Sequence, residues 1–161
     1  MQIKVGDRLP SAALKEIGSD GALKDLTTEA LFKGRRVALF AVPGAFTRTC
    51  SSRHLPGFVH NAAPIRQKGV DDIVCLAVND AFVMKAWGDA HGAPGKVRMV
   101  GDGNASFVRA IGLDKDSSAN GMGTRCHRFS MLVDDGVVKS LNIDPPGEFG
   151  STSAETMLAQ L

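Results

Sequence analysis

The segment Val37-Ala38-Leu39-Phe40-Ala41-Val42, continuing as Pro43-Gly44-Ala45-Phe46-Thr47-Arg48-Thr49-Cys50, decides how the rest of the chain must be arranged. Apolar residues in succession, without a polar alternate, suit a strand covered on both faces, which belongs in the middle of a sheet. Pro43 and Gly44 close that strand, so the polar residues after them turn the chain into a helix and set Cys50 in its first turn. The run Asp72-Ile73-Val74-Cys75-Leu76-Ala77-Val78 has the same character. Between the two, Leu55, Phe58, Val59, Ala62 and Ile65 recur at helical spacing and predict a buried stripe, bent near its start by Pro56. Strand, helix and parallel strand make a βαβ unit.

Further along, a helix is expected from about Ala81 to His91, capped by Asn79 or Asp80, with Phe82, Val83, Ala86, Trp87 and Ala90 as its apolar face. A short strand follows from Lys96 to Val100. A third helix is expected near Ala105 to Ile111, with Asn104 as cap and Gly112 as stop, and Asp114 to Gly123 reads as a long polar loop. Two β-rich runs, Arg128 to Val133 and Val137 to Ile143, flank Asp134-Asp135-Gly136, a hairpin signal. Thr152-Ser153-Ala154-Glu155 has capping-box spacing before Met157, Leu158 and Leu161, so a helix closes the chain. The order βαβ then ββα predicts the thioredoxin-like arrangement: an α/β fold with a central mixed β-sheet flanked by helices, a single domain over residues 1–161.

Composition agrees and excludes several functions. With 161 residues, 43% hydrophobic and 22% charged, the chain can bury one sizeable core. Lys plus Arg is 19 against 17 Asp plus Glu, and no run of like charge offers a footprint for nucleic acid. No apolar stretch approaches the roughly 20 residues of a membrane span, and Met1 to Asp7 lacks signal-peptide order, so the expectation is a cytoplasmic protein. Cys50, Cys75 and Cys126 are odd in number and widely separated, which speaks against a disulfide framework. His54, His60, His91 and His127 show no ligand-like spacing, so neither metal nor cofactor is assigned.

Cys50 is the chemical centre. Unpaired N–H groups and the dipole at a helix start favour the thiolate, the nucleophilic form of a thiol that is otherwise mostly protonated at neutral pH. The spacing Pro43-x-x-x-Thr47-x-x-Cys50, within PGAFTRTC and followed by His54-Leu55-Pro56-Gly57-Phe58-Val59, resembles the active-site signature of the peroxiredoxins. The longer wording resembles their atypical group, the peroxiredoxin-five and plant type II subfamily. So do Val78-Asn79-Asp80-Ala81-Phe82-Val83-Met84-Lys85-Ala86-Trp87, Arg128-Phe129-Ser130-Met131 and Val133-Asp134-Asp135-Gly136, in matching order after Lys4-Val5-Gly6-Asp7.

The resemblance implies a thiol-dependent peroxidase of hydrogen peroxide and alkyl hydroperoxides, serving cell redox homeostasis. Cys50 would attack the terminal peroxide oxygen and become a sulfenic acid. Thr47 and Arg128 would join it as catalytic and substrate-binding residues, Thr47 reaching both sulfur and peroxide with its hydroxyl, while Pro43 shields the thiolate. The physics is consistent: breaking an O–O bond builds charge on the leaving oxygen, which a fixed arginine fork stabilises. Arg48 stands where the family usually carries proline and is expected to be solvated. His54, four residues after Cys50, is expected to hydrogen-bond structurally or to orient Arg128.

Members of the subfamily differ in how the sulfenic acid is reset. Gly147 to Ser153 holds no cysteine, so the chain resembles the plant branch, reduced by an external thiol: glutathione or glutaredoxin ahead of thioredoxin. Cys75 reads as an inert core thiol. Cys126 lies two residues before Arg128, so an extended segment would point both to one face and bring Cys126 to the active-site mouth as a resolving thiol. The family also implies a homodimer, to which Phe46, Phe82 or Trp87 would contribute. The rival readings are a non-catalytic thioredoxin-fold protein that signals or binds through Cys50, and a dithiol oxidoreductase. The second lacks CxxC, because Thr47 and Arg53 occupy the positions three residues either side of Cys50. A Cys50-His54 hydrolase is weaker still, without an orienting third group.

Overall fold

A computed structural model describes residues 1–161. The two apolar runs form β3 (Arg36–Ala41) and β4 (Asp72–Ala77), paired in parallel at the middle of a mixed sheet. On one side of β4 lies β5 (Arg98–Gly101), also parallel. On the other side of β3 lies the hairpin β8 (Arg128–Asp134) and β9 (Val137–Asp144), antiparallel to it. An N-terminal hairpin, β1 (Ala13–Ile17) and β2 (Leu23–Thr27), completes the seven-stranded order β2-β1-β5-β4-β3-β8-β9.

Successive residues of the central strands serve opposite faces, as the pleat requires. Val37, Leu39, Ala41, Val74 and Leu76 enter one apolar cluster, covered by α1 (Thr28–Phe32) and α5 (Ser106–Ala110). Ala38, Phe40, Ile73, Cys75 and Ala77 enter the other, covered by α2 (Leu55–His60), α3 (Ala62–Gln67), α4 (Ala81–Ala90) and α6 (Ala154–Gln160). This second face also holds Cys50. Phe40, Phe58 and Trp87 are fully buried there, and side chains of this size contribute on the order of 1.5–3 kcal/mol each. The Asp134-Asp135-Gly136 turn adopts positive φ at Asp135 (48°) and Gly136 (78°), as a tight hairpin demands.

Several local expectations are corrected. The helix after Cys50 begins as a π-helix over Cys50–His54 and divides at Asn61 into α2 and α3; Pro56 sits where the π-helix passes into α2, and its missing N–H removes an intrahelical donor there. In α4 the buried residues are Ala81, Met84, Trp87 and Gly88, whereas Phe82, Ala86 and Ala90 face solvent. Asp80 caps that helix by accepting from Val83 N–H at 2.9 Å. Asn104 does not cap α5: Asp102 reaches over Ala105 to accept from Phe107 and Val108 N–H. The polar stretch after Asp114 is a two-stranded ribbon, β6 (Asp114–Asp116) with β7 (Thr124–Cys126). Ser153, not Thr152, caps α6. No helix is long and apolar enough to cross a membrane.

Candidate active site

Where β3 ends, the chain makes a tight loop that delivers Cys50 to the apolar cluster of the second face. The Thr47 hydroxyl donates to the Gly44 carbonyl at 2.6 Å and so ties the loop to itself. A Cβ on Gly44 would come within 3.1 Å of both Thr47 Cγ2 and Arg125 Nη1, which explains a glycine at this close approach. Phe46 takes a left-handed φ of 62°, an unusual conformation for a non-glycine residue, and its ring is exposed. The Ala45 N–H donates to Asn79 Oδ1, anchoring the loop to the start of α4. The first helical N–H to find a backbone acceptor is that of Ser51, bonded to Thr47, so the amides of Arg48, Thr49 and Cys50 remain open donors.

Cys50 is only 1% exposed, yet its sulfur has a polar partner. Arg128 Nη2 donates to Cys50 Sγ at 3.2 Å, across a sequence separation of 78 residues. The β3–β8 register makes this possible: Ala41 pairs with Phe129, so Arg128 stands just beyond the end of β3, where the Cys50 loop begins. Its other terminal nitrogen, Nη1, lies 2.7 Å from His54 Nδ1. His54 Nε2 in turn is 2.9 Å from the Thr152 carbonyl. A carbonyl only accepts, so Nε2 carries the ring proton and Nδ1 accepts from Arg128. Burial, helped by the Arg128 charge, pushes the His54 pKa down to about 3, so the ring is neutral at physiological pH. His54 therefore orients Arg128 and has no lone pair left to act as a base.

Phe149 covers this group. Its ring centroid is 5.0 Å from that of His54, with the guanidinium carbons of Arg53 and Arg128 at 4.7 and 5.6 Å. Beside it a cavity of about 80 Å³ is bordered by Pro43, Thr49, Cys126, His127 and Arg128. Thus Pro43 and Arg128 meet at one small cavity. The expected bond between the Thr47 hydroxyl and the Cys50 sulfur is absent, because that proton is committed to Gly44. Arg48 is exposed, as expected.

Cys126 does border the cavity shared by Pro43 and Arg128, as expected, but the side to which its thiol points is corrected. Its chain runs in the ribbon through β7, turns at His127, and only then joins the main sheet as β8, so the two-residue alternation does not carry over to Arg128. Cys126 consequently packs into the apolar cluster on the face opposite Cys50, fully buried, with its thiol donating to the Val42 carbonyl at 3.2 Å. Burial pushes its thiol pKa up, as it does that of Cys75 in β4. All three cysteines are unbridged. Trp87 is fully buried, its Nε1 donating to Ser51 Oγ at 2.9 Å, so it offers nothing to a second subunit. The sequence offers no signal for Thr152 and Phe149, whose contacts with His54 depend on a turn and not on a motif.

Comparisons with known proteins place this geometry in a family. The sequence model of the Redoxin family matches residues 4–158. Peroxiredoxin-2E-2, chloroplastic, of Oryza sativa subsp. japonica is 49% identical, over 99% of this chain and 72% of its own length. Peroxiredoxin-2B of Arabidopsis thaliana is 41% identical, over 99% of this chain and 98% of its own. Among solved structures, reduced Prx3 of Vibrio vulnificus in complex with H2O2 superposes with a TM-score of 0.94 at 46% identity, covering 99% of each chain. A buried cysteine held by a distant arginine, on a sheet shared nearly end to end with these proteins, makes the chain a member of the peroxiredoxins, the thiol-dependent peroxidases, with its curated relatives in the plant type II group.

Proposed function

We propose that Cys50 is the peroxidatic thiol and that Arg128, Thr47 and Pro43 complete its site. The observation that carries this reading is the Arg128 fork, with one nitrogen on the Cys50 sulfur and the other on a neutral histidine. The Cys50 thiolate attacks the terminal oxygen of the peroxide, the S–O bond forms as the O–O bond breaks, and the leaving oxygen takes a proton from solvent to depart as water or an alcohol. Cys50 is oxidised to sulfenic acid and the peroxide is reduced. Charge grows on the leaving oxygen during this step, so the Arg128 guanidinium and the open amides near Cys50 stabilise the transition state more than the bound peroxide. Thr47, its proton given to Gly44, presents lone pairs that accept from the peroxide O–H. Pro43 keeps water off this side of the sulfur.

An external thiol resets the enzyme. Cys75 and Cys126 are buried, and Cys126 belongs to the opposite face. Arg48 and Arg53 flank Cys50 in sequence, Arg125 lies against Gly44, and Lys115 borders the cavity with Arg128. None of these four cations is salt-bridged. Glu148 and Asp144 also border the cavity, but the bases outnumber them, and this surplus of positive charge favours an anionic thiol, so we assign glutathione or glutaredoxin ahead of thioredoxin. The thiol attacks the sulfenic sulfur, releasing water and leaving a mixed disulfide that a second thiol clears.

The reading also includes a homodimer and a cytoplasmic setting. Phe46 and Phe82 are exposed to 58% and 60%, and the Ala45–Asn79 bond links the loop of one to the helix of the other. Sedimentation of Phe46→Asp against the parent chain tests the dimer, and imaging of the tagged protein tests the compartment. The central test is stopped-flow reaction of the reduced protein with hydrogen peroxide. Trp87 is a suitable reporter because it bonds to Ser51, the neighbour of Cys50. A rate far above that of a free thiol, lost in Cys50→Ser, supports the reading; a rate like that of a free thiol overturns it.

A further inference from the structure

Asp144, the last residue of β9, is the direct cross-strand partner of Arg128, so the two side chains leave one face of the sheet side by side. A carboxylate so placed would ordinarily pair with the arginine, yet no salt bridge joins them. The carboxylate is occupied by the turn that leads into α6. Its Oδ2 accepts from Thr152 Oγ1 at 2.6 Å and from the N–H groups of Gly150 and Thr152 at 3.2 Å, and its Oδ1 accepts from Ser151 N–H at 3.0 Å. Burial opposes its ionisation, but these bonds outweigh burial and hold the carboxyl below its ordinary pKa. The same turn presents the Thr152 carbonyl to His54.

We propose that Asp144 is a positioning residue for peroxide reduction. By binding the 150–152 turn it aims the Thr152 carbonyl at His54, which fixes the tautomer whose Nδ1 holds Arg128 on the Cys50 sulfur. The four bonds also keep the carboxylate away from Arg128, so that the guanidinium charge stays with the sulfur and is not neutralised by its neighbour. This rests on the roles proposed above for Cys50 and Arg128, which Cys50→Ser tests separately.

The experiment compares Asp144→Asn, Thr152→Val and Thr152→Ser by peroxide rate, by thiolate absorbance of Cys50 at fixed pH, and by the 15N resonances of the His54 ring. Asn cannot accept all four bonds, and Val removes the hydroxyl bond alone. Both variants should lose rate, Asp144→Asn by about tenfold to a hundredfold, as expected when a reacting group is slightly misplaced. Both should also show a mixed His54 tautomer and a smaller thiolate signal, while Thr152→Ser restores all three. Leu31→Ala, which opens a cavity on the opposite face, is the control for lost stability. If Asp144→Asn fails to fold, the Thr152 pair decides. Wild-type rate and wild-type His54 resonances in a folded variant overturn the proposal, and so does a rate loss that Leu31→Ala reproduces.

Discussion

Cys50 and Cys126 are both buried thiols just beyond strands of the central sheet, 1% and 0% exposed, but they pack into the apolar clusters of opposite faces and meet opposite partners. Cys50 receives a hydrogen bond from a permanently charged guanidinium, whereas Cys126 gives its own proton to the Val42 carbonyl. The first arrangement is suited to a thiolate and the second to a thiol, since a carbonyl can only accept. Burial therefore does not distinguish the two thiols; the identity of the hydrogen-bond partner does.

The largest expected effect that would break this contrast is at Cys50 itself. Cys50→Ser should lower the rate with hydrogen peroxide by on the order of 10⁴-fold or more, measured by stopped flow, as loss of a nucleophile does elsewhere. Next is Arg128→Met, which should cost about 10²–10³-fold, the usual scale for removing a donor that stabilises developing charge. Arg128→Lys should recover little of this, because a single ammonium cannot hold the sulfur and His54 together. Thr47→Val should lose about tenfold to a hundredfold and raise the KM for peroxide, since it removes the proposed acceptor.

Smaller effects sharpen the other side of the comparison. His54 is neutral in the folded chain down to about pH 3, against its ordinary value of 6.5. The unfolded chain thus takes up a proton in that window that the folded chain refuses, and stability falls as pH falls from 6.5 toward 3. This group contributes a slope of at most about 1.4 kcal/mol per pH unit, which denaturant melts at several pH values should find missing in His54→Gln. Smallest of all, Cys126→Ala should leave the peroxide rate within about twofold and lower stability by about 1 kcal/mol.

Much of the central architecture was legible because its residues leave no choice: the runs Val37 to Val42 and Asp72 to Val78 have no polar alternate and must be covered on both faces. The edge strands were not. β2 reads Leu-Lys-Asp-Leu-Thr and buries only Leu26, a pattern that an exposed turn shares. In α4 the apolar residues Ala81, Phe82, Val83, Met84, Ala86, Trp87 and Ala90 spread around the helix, so periodicity sets the phase poorly, and Phe82, expected inward, faces solvent. The cap of α5 is Asp102, too far from the helix start for the usual spacing. At the candidate site, two separated motif blocks named Cys50 and Arg128, which the fold brings to 3.2 Å, whereas Thr47 bonds Gly44 in place of the sulfur; the side chosen for Cys126 failed because a change of sheet at His127 breaks the alternation. Asp144 and Thr152 act through the shape of a turn, for which no residue pattern stands in the sequence.

Which sulfur is oxidised distinguishes the two thiols most directly. Reduced protein treated with one equivalent of hydrogen peroxide, in the presence of a sulfenic-acid trap and followed by peptide mass mapping, should carry the trap on Cys50 alone. Cys126 should be recovered as a free thiol, with no Cys50–Cys126 disulfide when the trap is omitted. Trap at Cys126, or a disulfide joining the two, would contradict the account.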